Sequence, residues 1–84
     1  MFSLEKLNKK GGIIVFDYSK LKGRMKEKEI SQEDLAARIG KNKSTISLKF
    51  NNQGQFTQEE IVNISETLEI PVQQISEYFF TKKV

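Results

Sequence analysis

The 84-residue chain has no cysteine, no histidine, no tryptophan and a single proline. Without cysteine there is no disulfide, no thiolate zinc site and no thiol nucleophile. Without histidine there is no imidazole to move protons or bind a metal. No apolar run approaches the roughly 18 residues of a membrane span. The run Ile13-Ile14-Val15-Phe16 follows Lys9, Lys10, Gly11 and Gly12, which is not the apolar stretch of a signal peptide. The missing cysteine fits a reducing cytoplasm. A single domain is expected, and a chain this short buries only about 60–65% of its unfolded surface. That size excludes a doubly wound nucleotide domain, a barrel and most autonomous enzymes. The remaining carboxylates are scattered, so no catalysis, metal or cofactor is expected.

Charge is plentiful but unevenly placed. The total is +3. Residues 17–54 hold nine Lys/Arg and five Asp/Glu, whereas residues 55–80 hold five Glu and no Lys or Arg. Such a split predicts one face for a polyanion and an acidic half turned away from it.

Residues 1–14 read as an arm outside the domain. Met1 to Lys10 has the pattern of a short helix ended by Gly11-Gly12. Alternatively, Lys9-Lys10-Gly11-Gly12 is encodable by a purine run resembling a bacterial ribosome-binding site, with Val15 as a GTG start. On that reading residues 1–14 are an upstream extension and 15–84 are the domain. The domain reads as all-α, with five helices; Ile13 to Phe16 is the one stretch with some strand character. Asp17 is the expected cap of a helix ending near Lys28, with Leu21 and Met25 inward. Ser31 caps the second helix, Leu35, Ala36 and Ile39 line its inner stripe, and Gly40 stops it. Asn42 caps the third, with Ile46 and Phe50 inward. Thr57 and Glu60 form a capping box for the fourth, with Ile61, Ile64 and Leu68 inward. Pro71 opens the fifth, with Val72, Ile75, Tyr78 and Phe79 inward.

Function concentrates in residues 32–51, QEDLAARIGKNKSTISLKFN. Ala36 is small where two helices must cross, Gly40 allows the tight turn, and Leu35, Ile39 and Ile46 fix the interhelix angle. This spacing is the helix-turn-helix pattern, whose second helix enters the major groove. Ser31-Gln32-Glu33-Asp34-Leu35-Ala36, Ile39-Gly40, Asn42-Lys43-Ser44-Thr45-Ile46-Ser47 and Phe50-Asn51-Asn52 resemble the phage Cro and repressor family of helix-turn-helix regulators. The five-helix layout resembles the small Cro-like proteins of temperate phages of Gram-positive bacteria. The resemblance implies a lambda-repressor-like fold in a bacterial cytoplasm, associated with the nucleoid. Two positions depart from it: Lys41 and Lys49 stand where the family usually has apolar residues.

On the third helix, Lys43, Ser44, Thr45 and Ser47 are candidate contacts to base edges or phosphates. Leu48 is placed either against thymine methyls or in packing. Asn42, Asn51 and Asn52, with Lys41 and Lys49, suit the DNA backbone. The resemblance implies a phosphate contact for Gln32. Tyr78, Phe79 and Phe80 exceed what one short helix buries, so they either close the core or mediate a homodimer. The leading expectation is a Cro-like repressor binding double-stranded operator DNA, since 84 residues leave no room for a sensor domain. The alternatives are an antirepressor or co-repressor that binds a larger phage repressor, or the antitoxin of a toxin–antitoxin pair.

Overall fold

The computed structural model describes residues 15–83. The expected extension, residues 1–14, lies outside the described residues. Five α-helices follow in order: α1 Ser19–Glu27, α2 Gln32–Arg38, α3 Lys43–Phe50, α4 Gln58–Thr67 and α5 Ile75–Phe79, the last preceded by a 3-10 turn at Val72–Gln74. No strand occurs among the described residues; an isolated antiparallel bridge joins Phe16 to Lys82. The Asp17 amide donates to the Thr81 carbonyl and the Lys83 amide to the Val15 carbonyl, both at 2.7 Å.

The expected starts of α2, α3 and α4 are present. Ser31 and Asp34 close a capping box on α2, and Thr57 and Glu60 close one on α4. The Asn42 carboxamide accepts from the Thr45 amide at 3.0 Å. Each satisfies donors that the first helical turn leaves without partners. Asp17 acts one step outside its expected place. Its carboxylate accepts from the Ser19 amide and hydroxyl at 2.9 and 2.6 Å, which turns the chain before α1 begins at Ser19.

Four helices end by one device. After α1, α2, α3 and α4 the chain takes a left-handed residue, at Glu29, Gly40, Asn52 and Glu69. In each case the next amide reaches back to the third-last helical carbonyl, as in Ile30 to Met25 and Lys41 to Ala36. Only one of these four positions is glycine, so the other three hold a conformation that side chains disfavour.

The core holds Leu21, Leu35, Ile46, Ile64 and Leu68, fully buried, with Ala36 at the α2–α3 crossing. Each such aliphatic side chain contributes about 1.5–3 kcal/mol by leaving water. Phe56, in the loop before α4, is the hub of an edge-to-face aromatic cluster. Its ring lies 5.5 Å from Tyr18, 5.3 Å from Phe50 and 5.7 Å from Phe79. Tyr78 and Phe79 are buried in this core, as expected of the inward face of the fifth helix, which leaves Phe80 of the three aromatics exposed. One expectation fails here. Val72 is 80% exposed, because the 3-10 turn winds three residues per turn and carries it outward.

Gly40→Ala is expected to lose about 1 kcal/mol. The added methyl meets nothing within 4 Å, so the cost is that of φ +75° alone. Glu29→Gly should gain about 0.5–1 kcal/mol by removing the same strain at φ 57°. Urea titrations followed by circular dichroism check both; destabilisation by Glu29→Gly would contradict the strain account.

Candidate functional site

Three features build the α2–turn–α3 unit: the small Ala36, the left-handed Gly40 and the Asn42 cap. They leave Lys41, Asn42, Lys43 and Ser44 exposed at the start of α3. The Ser44 hydroxyl donates to the Asn42 carboxamide at 3.1 Å, so the first turn is pre-ordered. Thr45 and Ser47 are half-buried, Leu48 is 47% exposed on the outer side, and Asn51 is exposed at the C-cap. Gln32 is half-buried at the first position of α2.

Two of the expected DNA-backbone residues are engaged elsewhere. The Lys49 ammonium lies 2.7 Å from both carboxylate oxygens of Glu60, and that carboxylate is only 2% exposed. An ammonium bridged across both oxygens of a buried acid is held inside, not extended toward phosphate. Asn52 takes φ 62°, and its carboxamide clamps Phe16: the Phe16 amide donates to Oδ1 at 2.8 Å, and Nδ2 donates to the Phe16 carbonyl at 3.0 Å.

The basic half is also partly neutralised by the acidic half. Arg24 donates to the Leu68 and Glu69 carbonyls at 2.9 and 2.8 Å, placing a guanidinium on the negative end of α4. Lys28 pairs with Glu69 and Lys20 with Glu77, each at 2.6 Å. The expectation of two separate electrostatic faces is therefore corrected, since four cations of residues 17–54 bond across to residues 55–80. Among the described residues, Lys22, Lys26, Arg38, Lys41 and Lys43 have no ion-pair partner.

The family model described as "Protein of unknown function (DUF739)" matches residues 14–82, nearly all of the described structure. The chain belongs to the DUF739 family. It is similar to the solution structure of the modulator of repression (MOR) of the temperate bacteriophage TP901-1 from Lactococcus lactis. Identity is 37% and the TM-score 0.67, over 77% of this chain and 88% of that one. No curated protein matches. These matches overturn the assignment to the Cro and repressor family. The motif at residues 32–51 is a local similarity, whereas the family model follows the whole helical domain.

Two side chains of this DUF739 domain, Lys49 and Glu60, were each marked in the sequence, but their pairing was not. Lys49 sits where an apolar residue was expected, and a cation on an inward face requires an acid; Glu60 supplies it while also capping α4. Burial raises the Glu60 carboxyl. The hydrogen bonds from Lys49 and the Thr57 amide, with the charges of Lys49 and Lys41, outweigh that effect and hold it below its ordinary value. A carboxyl lowered in the folded state stabilises above the unfolded value of 4.5 and loses that contribution as pH falls through the folded value. Among the described residues, no helix is long and apolar enough to cross a membrane.

Removing one partner leaves the other desolvated. Lys49→Ala or Glu60→Gln should each cost on the order of 3 kcal/mol at neutral pH. Glu60→Gln should also lose stability less steeply between about pH 5 and pH 3 than wild type. Denaturation across pH checks this; a wild-type acid profile in Glu60→Gln would contradict it.

Proposed function

We propose that this chain is a modulator of repression in a phage genetic switch, acting by contact with a repressor protein. The similarity to the TP901-1 modulator is the observation that carries this reading, because it extends over most of both chains. The fate of the expected DNA contacts supports it. Lys49 and Asn52 are spent on holding α3 against α4 and against Phe16. Non-specific and specific DNA binding both draw on cations that reach phosphates, and each one removed weakens binding at physiological salt. The protein is thus read as a regulator rather than an enzyme, with the phage repressor as its partner.

Direct operator contact is the second reading. It is favoured by Lys41, Lys43 and Ser44, which stay exposed at the start of α3, with Thr45 half-buried beside them. An electrophoretic shift assay separates the two, using the intergenic DNA beside the gene and the repressor from the same phage genome. The chain alone should leave the duplex unshifted at micromolar concentration, and adding it to the repressor should change the repressor's shift. Tight, sequence-selective retardation by the chain alone would overturn the first reading in favour of the second.

A further inference from the structure

Where the two ends of the described chain meet, aromatic residues enclose a cavity of about 140 Å³. Phe16, Tyr18, Phe56, Phe79, Phe80 and Ile61 line it. Tyr18 and Phe79 are buried, Phe16, Phe56 and Ile61 are half-buried, and Phe80 is 50% exposed. The cavity is therefore open to solvent beside Phe80. An apolar cavity of about this volume holds one benzene-sized ring. The chain has six phenylalanines and two tyrosines, and Phe2 alone among them lies outside the described residues. The segment that carries Phe2 runs into Val15, which is joined directly to Phe16 of the cavity wall. The family match begins at residue 14, so most of this segment lies beyond the matched domain.

We infer that this cavity is the docking site of the chain's own N-terminal segment, with Phe2 as the ring that enters it. Attachment selects the occupant. A segment tethered to the cavity wall meets the cavity at an effective concentration on the order of millimolar. A second copy of the chain has to give up translational and rotational freedom to reach the same place. Length selects it as well. Gly11-Gly12 allows the chain to reverse. From Phe16 back to Gly12, four extended residues span about 13 Å. From Lys10 back to Phe2, eight residues in the expected helix span about 12 Å, so the reversal returns Phe2 to the level of Phe16. Docking covers the Phe80 ring, and a partner that uses this ring must first displace the segment. The inference concerns the chain alone and holds whichever macromolecule it regulates.

Paramagnetic broadening in the full chain tests the site. The chain has no cysteine, so Ser3→Cys places a single nitroxide beside Phe2. With isotopically labelled protein, the amides of Phe56 and Phe80 are expected to lose most of their signal intensity and to regain it when the nitroxide is reduced. Adding Phe2→Asp to the same spin-labelled chain is expected to restore both signals. Broadening spread evenly over the domain, or none at Phe56 and Phe80, would overturn the docking site. Broadening there that persists with Phe2→Asp would overturn Phe2 as the ring that enters. A mixture of spin-labelled chain with isotopically labelled chain lacking the nitroxide reads contacts between molecules. Equal broadening of Phe56 and Phe80 in that mixture would assign the cavity to a second copy and overturn the inference.

Discussion

The Lys49–Glu60 pair governs how the rest of this molecule is arranged. One buried carboxylate accepts from the Lys49 ammonium and from the Thr57 amide, so it caps α4 and holds α3 against it at once. Neither group is tolerable alone in that position, because an unpaired buried charge costs several kcal/mol. The pair thus fixes the rotation of α3 about its axis. That rotation puts Ile46 and Phe50 in the core, and Ser44 and Leu48 outward. It also removes a cation from the face that would meet a phosphate.

The same logic extends to the other charges. Arg24 binds the carbonyl end of α4, Lys28 reaches Glu69, and Lys20 reaches Glu77 while lying 5.1 Å from the Tyr78 ring. The basic and acidic halves of the sequence are therefore partly each other's partners, through Lys20, Arg24, Lys28 and Lys49. The exposed pairs among them are individually weak. Their consequence is selective: they decide which charges remain for something outside the chain. Among the described residues, what remains includes the cations Lys22 and Lys26 on α1, Arg38 on α2 and Lys41 and Lys43 at the start of α3, and the carboxylates Glu59 and Glu66 on α4. A surface of both signs suits a protein partner better than a uniform polyanion.

Local chemistry made the helices legible. Ser31, Asn42, Thr57 and Glu60 mark the starts that the structure shows, and Gly40 marks the end of α2. The left-handed ends at Glu29 and Glu69 carried no such mark, because a glutamate does not announce positive φ; Asn52 and Glu69 are in addition tied by side-chain bonds to Phe16 and Lys28. Phe56 sits in a polar loop, outside any helical periodicity, so its place at the hub of the aromatic cluster was invisible. Tyr78 and Phe79 were read as inward, yet the three aromatics together looked like more than one short helix buries; with Phe56 as hub, the core has room for two of them, and Phe80 is the ring left exposed. The unit at residues 32–51 was read correctly as helix, turn and helix. Its likeness to Cro-type regulators led to the wrong family, because the motif encodes how two helices cross and not what they touch. The inward-facing Lys49 was the clue in the sequence that α3 is held differently.

The central claim is that this fold meets a repressor and not an operator. Amide chemical-shift mapping of the isotopically labelled full chain tests it most directly, with operator duplex and repressor added in separate titrations. The account predicts that the duplex alone leaves Lys43, Ser44 and Thr45 in place, whereas the repressor produces saturable shifts centred on a defined protein surface. Saturable shifts at those three residues with duplex alone, and none with the repressor, would contradict it.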